Sequence, residues 1–340
     1  MRQAVMTSPG AIEYRDVDPP AAPGPHEVML KIQRIGICGS DMHVYHGTHP
    51  ATDYPVVQGH EYSGIVEQTG PQVKKVKKGD KATARPQQTC GKCGPCRRGH
   101  YNVCQNLKVE GFQAPGVAQD YVILPEERLV RLSDNLTYEH GAMVEPVSVA
   151  AHATRRSHSL EGKNVVVSGG GVIGNLVAQY AAVRGANKVL ITDISDFRLE
   201  KARECGIAHT LNVAREDFAQ GADRVFGQEK FQVGFEAAGV QSSLTNLIAQ
   251  VEKGGDVVIL GVYGENPVVN MFHVGEHELH LFGSLMYRQE DYEETVQMLS
   301  EDRIKVDPLI TTHFEFEKYL DAYKYIEKQG DQTMKVVIDL

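Results

Sequence analysis

Apolar side chains recur at alternate positions from Val28 through Leu30 and Ile32, with Lys31, Gln33 and Arg34 between them before Ile35. That is the period of a strand with one face turned to a core. Proline-rich punctuation at Pro19-Pro20 and Pro23-Gly24-Pro25 precedes the run. Residues 63–68, 81–84 and 120–124 repeat the pattern, set apart by turn residues such as Gly70-Pro71 and Gly79-Asp80. The first part of the chain is predicted to be all-β and barrel-like.

After Leu136 the period changes. Residues 141–156 carry small and apolar side chains at helical spacing, with Glu145-Pro146 in the middle, so a carboxylate sits beside a helix-interrupting proline. A strand at 164–168 leads into Gly169-Gly170-Gly171-Val172-Ile173-Gly174 and then a helix with Leu176, Val177, Tyr180 and Ala181 on one face. A second strand at 188–192 ends on Asp193. Further strands at 232–237, 256–261 and 279–284 alternate with helical segments, which predicts a parallel doubly wound sheet. Residues 291–299 read as an amphipathic helix, and 335–340 as a last strand returning to the first domain.

Composition narrows the function. At 340 residues the chain has room for two globular domains, and 41% hydrophobic with 23% charged residues matches an ordinary folded protein. A formal charge of -9 argues against a nucleic-acid or anionic-membrane partner. The basic run of Lys74, Lys75, Lys77 and Lys78 reads as a solvated loop. The uncharged stretch 165–183 is too interrupted by Ser168, three glycines, Asn175 and Gln179 for a membrane span. The N-terminal residues lack the apolar run of a signal peptide, so a cytoplasmic location is expected.

Four of the six cysteines fall at Cys90, Cys93, Cys96 and Cys104. Four thiolates on a glycine-rich loop can close a tetrahedral zinc site. Cys93-Gly94-Pro95-Cys96 alone would match a redox pair, but that motif opens a helix after a strand and has no use for two further thiols. An iron-sulfur cluster needs a different last spacing. A second donor set is Cys38 with Gly59-His60-Glu61: thiolate, imidazole and carboxylate are ligand types zinc takes.

The glycine-rich turn stands in the context of a dinucleotide site: apolar strand before, helix after, and an acidic residue closing the next strand. Gly169 permits the tight turn, Gly171 lets the backbone approach a pyrophosphate, and Gly174 lets helix and strand pack closely. Asp193 would bind the adenosine ribose hydroxyls and repel a 2′-phosphate, favouring NAD over NADP; the plainer role is a helix cap before Phe197.

Over essentially its whole length the chain resembles the medium-chain zinc-dependent dehydrogenases. The segments 36–43 and 59–64 look like the catalytic zinc motifs, the clustered cysteines like the structural zinc lobe, and 169–174 like the nucleotide turn. Glu145-Pro146-Val147-Ser148-Val149 with Ala151-His152-Ala153 is most similar to the polyol branch, which includes sorbitol, threonine, butanediol and sugar-acid dehydrogenases. The resemblance implies a GroES-like β-barrel catalytic domain over 1–148 and 287–340, and a Rossmann nucleotide domain over 149–286. It implies two zinc ions per chain, a catalytic one at Cys38, His60, Glu61 and Glu145 and a structural one at Cys90, Cys93, Cys96 and Cys104.

The same likeness places NAD against Gly169, Gly171, Val172, Ile173, Gly174, Asp193, Arg198, Gly239, Gly261, Val262 and Leu285. It makes a homodimer or homotetramer the usual assembly. A hydroxyl proton must leave the closed pocket, and Ser40 with the neighbouring His43 is expected to pass it outward by hydrogen bonds. A thiolate and one carboxylate leave Zn2+ formally neutral, so Glu61 is expected either to exchange as substrate enters or to stand as an anchor beside the ligands. The expected reaction moves hydride between NAD and a secondary hydroxyl of a small polar alcohol, a polyol or sugar acid before a diol or hydroxy amino acid. A non-catalytic metal or redox sensor would not need the Cys38 donor set. Ser40 could instead cap a turn, His43 could be a surface residue, and Tyr45 is either a substrate contact or core. Arg288 reads as an exposed hinge residue, or as a partner for a substrate carboxylate. Met286 stands where sorbitol dehydrogenases carry arginine, which makes sorbitol itself doubtful. Cys205 is expected in the core.

Overall fold

The computed structural model describes residues 1–340 and divides into two compact units. The first comprises Met1–Glu145, Arg288–Glu301 and Ile310–Leu340; the second comprises Pro146–Tyr287 and Asp302–Leu309. These limits differ from the expected ones. The changeovers fall at Glu145/Pro146 and Tyr287/Arg288, and Asp302–Leu309 packs with the second unit, where Ile304, Val306 and Leu309 are buried. Within it, Gln179 donates to the Lys305 carbonyl at 2.9 Å and accepts from its amide at 2.7 Å. The first changeover lies inside the helix Tyr138–Thr154, at the proline that lacks an amide for the helical ladder.

The first unit is built on a seven-stranded sheet. Its order is Ile310–Glu315, Lys335–Asp339, Glu27–Ile37, Glu61–Thr69, Lys81–Ala84, Leu129–Arg131, with Tyr121–Pro125 also pairing onto Glu27–Ile37. The strand Glu27–Ile37 is the hub because its apolar positions Val28, Leu30, Ile32 and Ile35 are fully or almost fully buried. A hairpin of Arg2–Ser8 and Ala11–Asp16 and a short pairing of Gln87–Gln88 with Lys108–Val109 complete the β structure. The C-terminal strand runs antiparallel to the hub, with Val336 opposite Ile37. On the hub's other edge, Gly36 lies opposite Glu61. This register brings residues from three distant stretches to one end of one strand.

The second unit holds a six-stranded parallel sheet in the order His209–Asn212, Lys188–Asp193, Asn164–Ser168, Val233–Glu236, Asp256–Ile259, His280–Gly283. Strand order reverses at Asn164–Ser168, the switch point where open α/β sheets place their ligands. Val165, Val166 and Val167 have no exposed surface, as a central strand covered on both faces requires. The helices Val172–Val183, Asp196–Glu204, Phe218–Phe226 and Gln241–Gln250 connect the strands. No helix is long and apolar enough to cross a membrane.

Candidate functional site

Where the hub strand ends, Cys38 becomes the N-cap of the helix Gly39–Tyr45. Asp41, in the helix's first turn, is fully buried and accepts the Cys38 amide at 2.8 Å, so the carboxylate fixes the turn that presents the thiol. Its other oxygen lies 3.4 Å from His60 Nδ1. Gly59 reaches His60 through a φ of 93°, which a side chain would strain. The ligand atoms of Cys38, His60 and Glu61 lie within 4.8 Å of one another.

The Glu61 carboxylate has room because its sheet partner is a glycine; a Cβ on Gly36 would stand 2.3 Å from Glu61 Oε2. Both carboxylate oxygens meet Lys335 Nζ, at 2.7 and 2.5 Å, and the same ammonium donates to the Ile37 carbonyl at 3.0 Å. Burial pulls the Lys335 ammonium down, but attraction from Glu61, Cys38 and Glu145 outweighs it and leaves the group above its ordinary value. For His60, burial again disfavours the charged ring, and Asp41 and Cys38 more than reverse this. The pocket therefore selects for positive charge at the His60–Cys38 position, which a proton or a divalent cation can supply. Chemically, a soft thiolate, an imidazole and a nearby carboxylate fit zinc. His60 Nδ1 is buried and has no aligned hydrogen-bond partner, its approach to Asp41 being an ion-pair distance only.

Glu145 is buried on the helix Tyr138–Thr154 but stands outside the group of donors within 4.8 Å. Ser40 is half-buried on the Gly39–Tyr45 helix, and the cap belongs to Cys38 and Asp41 instead of to it. His43 is exposed, with Nδ1 3.4 Å from Thr48 Oγ1 and no bond to Ser40. Tyr45 stacks on Tyr323 with ring centroids 5.1 Å apart and planes 6° off parallel. Phe112, which the sequence did not single out, lies between two imidazoles, its centroid 4.9 Å from His60 and 4.6 Å from His49.

The four clustered cysteines form a second donor set, all of them free thiols. Cys104 Sγ lies 3.5 Å from Cys90 Sγ and 3.9 Å from Cys93 Sγ. A tetrahedron of sulfurs about 2.3 Å from zinc has edges of about 3.8 Å, so the spacing fits the ion and is far too long for disulfides. Backbone amides of Cys90 and Asn106 donate to Cys104 Sγ, both at 3.3 Å. Amides of Lys92 and Cys93 pull the Cys90 thiol down to about 6, whereas burial and the neighbouring sulfurs push Cys96 up to about 12. One cluster thus holds thiols at opposite ends of their range.

In the second unit, the turn after Asn164–Ser168 adopts the expected shape. Gly169 has a φ of 107°, and a Cβ on Gly174 would stand 1.8 Å from the Gly169 carbonyl oxygen, so no other residue fits there. Gly171 caps the helix Val172–Val183, and a Cβ there would meet nothing within 4 Å. That open space above free helical amides at Val172 and Ile173 fits a pyrophosphate. Asp193 is buried at the end of its strand and accepts from Gly170 N at 2.6 Å and Ser195 N at 2.8 Å. It does not cap the following helix: Ser195 does, by accepting from Arg198 N. Arg198 Nη1 is 3.8 Å from Asp193 Oδ2, and its buried Nε has no partner.

Gly239 and Gly261 pack against each other, a Cβ on Gly261 coming within 2.4 Å of Gly239 N. Glu236, fully buried and not anticipated, accepts the Gly239 amide at 2.9 Å. Val262 and Leu285 are 79% and 50% exposed just past the carboxyl ends of their strands, and Ile194 and Val240 repeat this at 68% and 48%. Four uncovered apolar side chains at the ligand-binding end of the sheet are where a bound nucleotide would rest.

Residues 24–134 match the family model of the alcohol dehydrogenase GroES-like domain, and 172–301 that of zinc-binding dehydrogenases. The 2-dehydro-3-deoxy-L-galactonate 5-dehydrogenase of Pseudoalteromonas atlantica is 35% identical over 86% of this chain and 85% of its own. The chain belongs to the medium-chain zinc-dependent dehydrogenases. Sorbitol dehydrogenase 1 of Saccharomyces cerevisiae is 32% identical over 96% of this chain and 94% of its own. A Sinorhizobium meliloti structure with NADP bound superposes with a TM-score of 0.91, 29% identity, and coverage of 100% of this chain and 99% of that one.

In this zinc-dependent dehydrogenase Arg288 stands at the Tyr287/Arg288 changeover, as a hinge residue would, but it is half-buried and its guanidinium is engaged and not free for a substrate carboxylate. Its guanidinium meets His100 Nδ1 at 2.6 Å and Asn102 Oδ1 at 3.4 Å, and Gln289 N donates to Tyr101 Oη at 2.5 Å. Arg288 thereby fastens the cysteine lobe. Met286 adopts a φ of 49°. Cys205 is buried at the end of the helix Asp196–Glu204, and burial pushes its thiol up to about 12.

Proposed function

We propose that the chain oxidises a secondary hydroxyl of a small polar alcohol with NAD, a polyol or sugar acid being favoured over a diol or hydroxy amino acid. The observation that carries this reading is the set of half-buried Cys38 with buried His60 and Glu61, its donors within 4.8 Å of one another. Zinc, when bound there, supplies the Lewis acidity that makes a substrate hydroxyl easier to deprotonate. Cys38 and His60 hold the ion, Asp41 orients the His60 ring from its Nδ1 side, and Lys335 keeps Glu61 from adding a second net negative charge. Glu145 completes the set through water. Ser40 accepts the hydroxyl proton while releasing its own, and His43, at the exposed part of the same helix and not bonded to Ser40, passes it to solvent through intervening water. Cys90, Cys93, Cys96 and Cys104 hold a second, structural zinc.

Gly169, Gly171, Val172, Ile173 and Gly174 bind the pyrophosphate, and Gly239, Gly261, Val262 and Leu285 hold the nicotinamide end. NAD is preferred because the buried Asp193 carboxylate repels a 2′-phosphate, although the Sinorhizobium meliloti relative binds NADP and Arg198 stands beside Asp193 here. The sugar-acid and sorbitol names of the relatives support the substrate class. A homodimer or homotetramer is supported by the open edge of the strand His280–Gly283 near exposed Val268, Met271 and Phe272. The protein works in the cytoplasm, without nucleic-acid or membrane partners.

The test is a panel of polyols and aldonates assayed with NAD on zinc-replete protein, read as NADH formation. Turnover with at least one member supports the reading. No NADH from any member, with two zinc ions present per chain, overturns it.

A further inference from the structure

Asp256 opens one strand of the parallel sheet and His280 opens the edge strand beside it; the register places them directly opposite each other. His158 reaches the same point from the turn before Asn164–Ser168. Its amide donates to Asp256 Oδ2 at 2.7 Å, and its Nδ1 lies 3.0 Å from both carboxylate oxygens. His280 Nδ1 lies 3.2 Å from Asp256 Oδ1. The Asp256 side chain is 5% exposed, while the two imidazoles are 68% and 49% exposed. A buried carboxylate is thus flanked by two open rings, each turning Nδ1 towards it. These residues sit at the amino ends of parallel strands, opposite the end where the glycine turn lies, so they have no part in nucleotide binding.

We infer that His158, Asp256 and His280 form a third metal site, for a divalent cation that prefers imidazole and is distinct from the two zinc ions, with nickel as the probe. Two imidazoles and a carboxylate are a donor set such ions take. Ligand bonds of about 2.0–2.1 Å at tetrahedral angles give donor separations of about 3.3 Å; the two imidazoles stand 3.0 and 3.2 Å from the Asp256 carboxylate, and all three donors lie within 4.8 Å of one another. A cleft of about 290 Å³, lined by His158 and Asp256 and also by Ser159, Lys163 and Lys253, borders the cluster and opens it to solvent. The ion would tie the edge strand and the His158 turn to the buried start of the neighbouring strand. The site uses none of the proposed zinc ligands, so it stands or falls independently of the proposed activity.

The test is calorimetric titration of zinc-replete enzyme with Ni2+, with zinc content measured before and after. One nickel should bind per chain with zinc retained. His158→Ala and His280→Ala should each weaken that binding at least tenfold, and His280→Gln should do the same while keeping a hydrogen-bond donor for Asp256 and hence the native melting temperature. A His273→Ala/His277→Ala double variant, which removes the other close histidine pair, should bind nickel as the parent does. No stoichiometric nickel, nickel taken up only as zinc is lost, or binding unchanged in both single alanine variants would overturn the assignment.

Discussion

The carboxylate of Glu61 gives both its oxygens to the ammonium of Lys335, residues 274 positions apart in the chain and each nearly inaccessible to solvent. A buried pair of this kind is costly to split because the remaining charge has no water to turn to. Lys335→Met should destabilise the protein by about 3–5 kcal/mol, and the Glu61→Gln/Lys335→Met double variant should recover most of that loss. Denaturant melts of the four proteins, the parent, each single variant and the double, complete the cycle. Because the Lys335 pKa is raised above 10.5, the stabilisation tied to the lysine's own protonation is present up to about pH 10.5 and is lost as pH rises through the folded value.

Asp193 sits where cofactor choice would be made and also holds the amides of Gly170 and Ser195. Asp193→Ala should raise KM for NAD and shift the NADP-to-NAD ratio of kcat/KM at least tenfold towards NADP, with Arg198 nearby to meet the added phosphate. Parallel kinetics with the two cofactors decide it. An unchanged ratio would leave Asp193 a purely structural brace of the glycine turn.

Acid should empty the cysteine lobe. With the Cys90 thiol lowered from 9.0 to about 6, its thiolate persists above about pH 6 and is lost as pH falls through that value. The affinity of the emptied lobe for zinc should therefore fall more steeply below about pH 6, where Cys90 too has a proton to displace. Cys96, pushed up to about 12, keeps its proton near neutrality until an ion displaces it. Refilling the emptied lobe at neutral pH should release protons, seen as a buffer-dependent heat of binding.

Removing the clamp on the lobe should loosen it without touching a thiol. Arg288→Ala loses the contacts to His100 and Asn102 and should speed zinc loss from the cysteines several-fold under chelator, leaving the zinc at Cys38 and His60 in place. Zinc counted over time after chelator addition separates the two populations.

Much of this molecule was readable in the chain because its chemistry is local. Cys38 and His60 announce themselves by ligand type, the cysteines by spacing, and Gly169 to Gly174 by the strand before and helix after. Long-range partners were hidden. Lys335 reads as the first residue of an apolar strand, and only the register that sets Val336 opposite Ile37 turns it on Glu61. Asp41 looked like a neighbour of Ser40, yet its carboxylate both caps the Cys38 turn and faces His60. Arg288 was misread because His100 and Asn102 lie 188 and 186 residues away. Glu236 and Asp256 read only as positions within the strands 232–237 and 256–261, since a buried carboxylate shows its purpose only through partners that the sheet brings to it.

The most direct test of the central claim is zinc content and turnover of Cys38→Ala beside the parent protein. The expected result is a folded variant with one zinc per chain in place of two and NAD-linked turnover reduced at least a hundredfold. Two zinc ions per chain, or more than a tenth of the parent's activity, would remove Cys38 from the metal site and contradict the account.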